Sequence, residues 1–234
     1  VTAVLFVVTG SDHWTLADGT LHPTGYWAEE LATPHRLLRE AGFDVTIATP
    51  GGVAPTVDAV SLAAGSTGGT EQADAFAAYL ASIRADLENP LKLEEVDLDA
   101  YAAVLYPGGH GPMEDLAVDA ASGRLLTAAL DSGKPLAVLC HAPAALLAAR
   151  HEDGSWPFAG YRMTGFTNTE ETMAGFADKA TWLLQDRLEE LGADFHAASP
   201  FTAHVVTDRN LHTGQNPASS EQLTRNIIDI LNRG

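Results

Sequence analysis

Cys140 is the only cysteine in the 234 residues. It ends the apolar run Leu136 to Leu139 in PLAVLCHAPAALLAA, and an alanine-rich segment with helical character follows it. A thiol at the carboxyl end of a buried strand and just ahead of a helix is placed for nucleophilic work, because the helix dipole and free N–H groups lower a thiol pKa. The same position also suits an inert cysteine buried as a small hydrophobe. His141 adjoins it. Neighbouring side chains point apart on regular structure, so this imidazole reaches the sulfur only if the turn is a strained nucleophile elbow. The His141 backbone N–H is then an oxyanion donor.

YPGGHGPMEDL, Tyr106 to Leu116, offers a second donor after another apolar run. Gly108 and Gly109 let the backbone approach a reacting oxygen, with the Gly109 N–H the better choice. Alone, the pair also reads as an ordinary glycine turn. Glu30 in TGYWAEELATPH and Glu171 in TGFTNTEET add carboxyl groups, each equally readable as a solvated helix charge. Gly108, His110, Tyr26, Trp14 and Phe166 are expected to shape a substrate pocket, with Trp27 nearby. His13, His22, His35 and His110 match no ligand spacing, so the expectation is no metal.

These groups need a scaffold that gathers strand ends. Val4 to Val8, Val45 to Ala48, Ala103 to Tyr106 and Leu136 to Leu139 are short, apolar and bounded by turn residues, as buried parallel strands are. Tyr26 to Ala41, Ala73 to Leu87 and Gly123 to Ser132 carry apolar residues at helical spacing, with Gly42 and Gly133 at the C-cap positions. Pro34 falls inside the first of these and is expected to kink or displace it. Gly51 to Thr70 reads as a long loop. Further on, Met163 to Phe166 reads as a short strand and Ala180 to Leu191 as a helix. Ala203 to Thr207 and Leu211 to Gly214 read as strands joined by the turn Asp208-Arg209-Asn210. Asn216 and Pro217 read as N-cap and first position of a closing helix. Strands alternating with helices predict one doubly wound α/β domain over 1–234, in which ligands gather beyond the carboxyl ends of the strands.

Thirteen Lys plus Arg against thirty-one Asp plus Glu leave a formal charge of −18, which repels phosphate backbones and anionic lipid. No nucleic-acid or membrane partner is expected. No apolar run reaches the length of a membrane span, and Ala3 to Val8 lacks signal-peptide flanks, so the expected location is the cytoplasm. A lone cysteine cannot close an internal disulfide.

The segments named above resemble the ThiJ/PfpI superfamily, with its class I glutamine-amidotransferase-like fold. Within it they resemble the heat-shock chaperones that act as glutathione-independent glyoxalases, glyoxalase III. HPTGYWAEELATPHRLLREAGFDVTIATPGG, PTVDAVSL, YPGGHGPMEDL, AVLCHAP, MTGFTNTEET and VVTDRNLHTGQNPASS follow the order of that branch, with CHAP in place of the commoner Cys-His-Gly-Pro. The resemblance implies a flavodoxin-like three-layer sandwich with mostly parallel strands. It implies Cys140 as nucleophile, His141 as its base, Glu171 as the acid orienting that base, and Glu30 as a protonated carboxyl bonded to the thiolate. The resemblance implies Glu171 over Glu170, because Glu171 stands five residues after Phe166, as the family's acid does after the matching phenylalanine.

The reaction so implied turns methylglyoxal or a related 2-oxoaldehyde into a 2-hydroxy acid. A Cys140 hemithioacetal forms, its oxyanion is held by Gly109 and His141, and His141 moves a proton between the carbons with no cofactor. Unfolded or glycated proteins and a homodimer partner also belong to the implied picture. A glutaminase is disfavoured, because no histidine here has glutamate two residues later. A cysteine peptidase or amidase, an isonitrile hydratase, and a non-enzymatic holdase or redox sensor remain as alternatives.

Overall fold

The computed structural model describes residues 2–233 of the chain. The amino-terminal half comprises β1 (Ala3–Val7), β2 (His13–Thr15), β3 (Leu21–Pro23), α1 (Ala28–Glu40), β4 (Asp44–Thr49), α2 (Ala64–Thr67), α3 (Thr70–Ser82), α4 (Arg84–Glu88) and β5 (Leu91–Lys92). β6 (Ala103–Tyr106), α5 (Gly111–Glu114), α6 (Ala120–Asp131) and β7 (Leu136–Leu139) follow. The last third holds β8 (Arg162–Met163), α7 (Asn168–Met173), α8 (Leu184–Glu190), β9 (Asp194–Phe195), β10 (Val205–Asp208), β11 (Leu211–Gly214) and α9 (Ser220–Leu231).

β1, β6 and β7 are apolar at nearly every position, so both faces of the sheet must be covered. They lie at its centre. The seven strands run in the order β10-β11-β7-β6-β1-β4-β5, all neighbours parallel except the hairpin β10–β11 at one edge. The chain moves outward from β1 to β4 through α1, and the other way from β6 to β7 through α6. Right-handed crossovers in opposite directions put α1 and α6 on opposite faces. α9 packs on α1, while α6 packs on the segment after β7, which gives a flavodoxin-like three-layer sandwich. The strand order reverses between β1 and β6, and a crevice opens there at the carboxyl ends.

Several local expectations need correction. Pro34 does not break α1, which runs as one helix from Ala28 to Glu40. Proline removes a single N–H bond there, and the buried face carrying Leu31, Ala32 and Leu38 holds the helix against the core. Asn216 and Pro217 do stand at the N-cap and first turn, but of a 3₁₀ turn, and the Asn216 side chain makes no capping bond, donating to Glu170 Oε1 (2.9 Å) and the Thr202 carbonyl (2.8 Å). A 3₁₀ turn over Pro217–Ser219 precedes α9. Of Met163 to Phe166 only Met163 is in a strand, and β8 pairs with β9 outside the main sheet. Asp208 belongs to β10, so the hairpin turn is Arg209 and Asn210, with Arg209 at φ 56°. The stretch from Gly51 to Thr70 folds into 3₁₀ turns and α2. Among the described residues no helix is long and apolar enough to cross a membrane.

Candidate active site

Cys140 follows the last residue of β7 and takes φ 60°, a left-handed conformation that costs a non-glycine residue about 1–3 kcal/mol. Two backbone bonds fix this turn. The Cys140 N–H donates to the Gly214 carbonyl of β11 (2.9 Å), and the Cys140 carbonyl accepts from the Phe166 N–H (2.8 Å). The strained turn folds the next side chain back, so that His141 Nδ1 lies 3.4 Å from the Cys140 sulfur. The segment that follows is a 3₁₀ helix over Ala142–Ala148 with Pro143 in its first turn, not an α-helix. The expected lowering of the thiol pKa by a helix start is therefore not what governs this cysteine. Burial pushes the thiol up, and the nearby Glu30 adds to that, against a favourable contact from the Gly109 N–H.

Glu30 approaches the sulfur from the first turn of α1. Its carboxyl is fully buried; Oε2 accepts from the Gly108 N–H (2.7 Å), and the thiol lies against the group. Burial pushes its pKa well above the usual range, which favours the protonated form beside the sulfur. The turn after β6 requires both glycines. Gly109 has φ +95°, and a Cβ there would stand 2.4 Å from the Gly25 carbonyl oxygen. A Cβ on Gly108 would stand 2.4 Å from the Leu139 carbonyl oxygen and 2.6 Å from Glu30 Oε2. The Gly109 N–H is thus aimed at the sulfur, beside a His141 N–H that has no acceptor among the described residues.

α7 supplies the remaining carboxyl. Thr167 caps it in a capping box with Glu170, and the next residue, Glu171, turns into the molecule. Glu171 Oε2 meets His141 Nε2 at 2.6 Å, and Oε1 meets His110 Nε2 at 2.8 Å. Burial alone would raise this carboxyl, but the His141 and His110 imidazoles hold it well below the ordinary carboxylate range. Glu170 faces elsewhere, towards Thr167, the Phe201 N–H and Asn216. The donor atoms of His110, His141 and Glu171 lie within 4.8 Å of one another. Each ring nitrogen, however, sits against its own carboxylate oxygen, the geometry of an N–H donor rather than of a nitrogen turned to a shared cation. His35 is remote in the core against Tyr79, and His13 is paired with Asp12.

A cavity of about 550 Å³ opens over the sulfur, within the range of small-molecule sites. Cys140, Gly109, His110, His141 and Phe166 line it, as do Trp27, Phe176 and Phe201. Trp14, Tyr26 and Gly108, expected at its surface, do not line it. Trp14 stacks behind His110 with ring centroids 4.5 Å apart. Tyr26 is buried and pairs through its backbone with Thr56 and Asp58, and Gly108 turns its N–H to Glu30. Sequence reasoning missed Glu29, Asp58, Phe176 and Phe201 as lining groups. Glu29 was visible only as the neighbour of Glu30, and burial pushes its carboxyl up to about 7. Phe176 and Phe201 lie on irregular segments, where no periodicity marks a facing side.

A cysteine on a strained strand-to-turn elbow, at the switch point of a doubly wound sheet, defines the class as an α/β protein with a thiol site of the glutamine-amidotransferase-like kind. A DJ-1/PfpI family model matches residues 21–230, and the chain belongs to that family. It is 36% identical over 193 residues to the bovine (Bos taurus) glutamine amidotransferase-like class 1 domain-containing protein 1, covering 82% of each chain. It is 31% identical over 231 residues to the protein/nucleic acid deglycase HchA of Pseudomonas aeruginosa, covering 94% of this chain and 77% of that protein. The rapid encystment protein of 24 kDa from Francisella tularensis superposes with a TM-score of 0.87 at 27% identity, over 99% of both chains. Glyoxalase III from Candida albicans shares the fold, with a TM-score of 0.81 at 24% identity over 97% of this chain and 96% of the other.

Proposed function

We propose that this protein is a glutathione-independent glyoxalase that converts methylglyoxal or a related 2-oxoaldehyde to a 2-hydroxy acid. The observation that carries the reading is the fully buried Glu30 carboxyl set against Cys140, whose sulfur lies at a small cavity with aromatic walls. A protonated carboxyl beside a thiolate stabilises the anion without repelling it. His141 takes the thiol proton, with Glu171 orienting the ring and balancing its charge. The thiolate adds to the aldehyde carbon, C1, and the resulting oxyanion is received by the Gly109 and His141 N–H groups. Hydrogen moves from C1 to the ketone carbon, C2, to leave a thioester. Water then releases the 2-hydroxy acid and the free thiol.

Removal of 2-oxoaldehyde adducts from amines is a second reading, favoured by the likeness to HchA. It uses the same hemithioacetal, reached from an aminocarbinol. The charge of −18 weighs against nucleic acid as the carrier of those adducts.

The test mixes the protein with methylglyoxal in the absence of glutathione and measures lactate stereospecifically beside Cys140→Ala. Lactate from the unmodified protein alone is the expected result. Turnover that survives in Cys140→Ala, or no lactate while Cys140 still alkylates, removes the glyoxalase reading.

A further inference from the structure

The mechanism above leaves one buried group at the site without a task. His110 is buried and lines the cavity directly after Gly109, yet its ring makes no hydrogen bond to the sulfur. Its surroundings repeat those of His141. Each imidazole places Nε2 on one oxygen of the Glu171 carboxylate, at 2.8 Å for His110 and 2.6 Å for His141. A carboxylate held far below its usual pKa is acceptor only, so both Nε2 atoms donate to it, and a neutral ring so held has its lone pair on Nδ1. His141 Nδ1 is spent on the sulfur. Among the described residues the His110 ring has no hydrogen-bond partner except Glu171, which leaves its Nδ1 for a ligand.

The ring is also held still. Trp14 stacks on it with centroids 4.5 Å apart and planes 9° apart, and the His141 ring lies 4.1 Å away. Burial, and after it the neighbouring His141, lowers the His110 pKa, which favours the neutral ring. A fixed tautomer, a fixed plane and an unbonded nitrogen on a ring that lines the cavity are what a general base needs.

We propose that His110 is a second catalytic acid–base group, which carries the proton between the two substrate carbons while His141 serves the sulfur and the oxygens. The inference rests on the glyoxalase reading. After the thiolate adds, C1 bears hydrogen, sulfur and an oxyanion, and His141 holds the thiol proton. His110 Nδ1 takes the C1 hydrogen as a proton; the released electron pair forms the C1=C2 bond, and the C2 oxygen accepts the proton from His141. The C1 oxyanion then collapses to the thioester carbonyl, and C2 takes back the proton from His110. Both imidazoles end neutral, as they began, and no oxidant or reductant is consumed.

The experiment compares wild type, His110→Gln and His110→Ala, with methylglyoxal carrying hydrogen or deuterium at C1, and follows Cys140 alkylation by iodoacetamide in parallel. In His110→Gln, kcat is expected to fall by roughly 10²–10⁴-fold, the usual worth of a general base, with a larger deuterium effect than wild type. Alkylation of Cys140 is expected to stay within about threefold, because the sulfur keeps His141. Added imidazole should restore His110→Ala activity at least about tenfold, which a merely structural loss would not allow. A kcat within about threefold of wild type overturns the proposal. So does a parallel loss of alkylation and turnover without imidazole rescue, which makes His110 a positioning residue acting through Glu171. Absence of lactate from the wild type overturns the glyoxalase reading itself, and this inference with it.

Discussion

Glu170 and Glu171 are adjacent in α7, both buried, and bind opposite parts of the molecule. Glu171 holds the His141 and His110 rings, whereas Glu170 accepts from the Thr167 N–H and hydroxyl, the Phe201 N–H and the Asn216 amide. The two therefore separate chemistry from architecture. Glu171→Gln should keep the fold and lower kcat by roughly 10²–10⁴-fold, since the amide can support the wrong tautomer and carries no charge to balance an imidazolium. Glu170→Ala should instead strand several buried donors, each costing about 1–3 kcal/mol, and lower Tm far more than a surface change. Lactate assays and thermal melts on both variants check this; equal effects of the two on kcat at unchanged Tm would contradict it.

Gly109→Ala tests the turn after β6. The new Cβ meets the Gly25 carbonyl at 2.4 Å and the Trp27 nitrogen at 2.8 Å in a left-handed backbone, so the peptide must move. Loss of an oxyanion donor costs about 10²–10³-fold in kcat, and the strain adds about 1–3 kcal/mol of destabilisation. Steady-state kinetics within tenfold of wild type would show that this N–H does not hold the oxyanion.

Glu30 is probed by a pair of substitutions. Glu30→Gln keeps an acceptor for the Gly108 N–H and a donor for sulfur, so Tm should hold and kcat drop by roughly tenfold, the difference between a carboxyl and an amide donor to an anion. Glu30→Leu leaves the buried Gly108 N–H unpaired, costs about 1–3 kcal/mol, and lowers kcat further. Iodoacetamide rates should fall in the same order. A faster-alkylating Glu30→Leu would mean that the carboxyl is charged and repels the thiolate.

Glu29 makes a statement about stability and pH. Its folded pKa is raised by burial from the ordinary 4.5 to about 7, so between these values the folded state binds more protons than the unfolded chain. Its contribution is fully present below about pH 4.5 and is lost as pH rises through about 7. Glu29→Gln removes that loss. Melting curves from pH 4 to 8 should show the variant gaining on wild type as pH rises, with no gain at pH 4; a gain confined to acid pH would have the wrong sign.

The strands were legible because parallel strands covered on both faces are continuous apolar runs, and VLFV, AVLY and LAVL allow no alternating surface. Gly42 and Gly133 ended their helices with left-handed φ of 89° and 73°, as a local rule foresees. Local rules failed where a distant partner competed. Asn216 stands at the N-cap as expected, but its side chain makes no capping bond, because Oδ1 accepts from the Ser219 hydroxyl and the NH2 donates to Glu170, 46 residues away. Pro34 should disturb α1 by itself, and burial of the helix face overrides it.

At the site, the sequence by itself determined the chemical types and their order: one thiol after an apolar strand, a histidine beside it, a glycine pair after another strand, and carboxyls at Glu30 and Glu171. Only the tertiary structure decided that His141 reaches the sulfur, through Cys140 at φ 60°, and that His110 shares Glu171 across 61 residues of chain. It also replaced Trp14 and Tyr26 by Phe176 and Phe201 at the cavity wall. The reason is physical: strand and helix periodicity reports which side of an element is buried, whereas a strained turn and a shared carboxylate exist only when separate elements pack together and hold them.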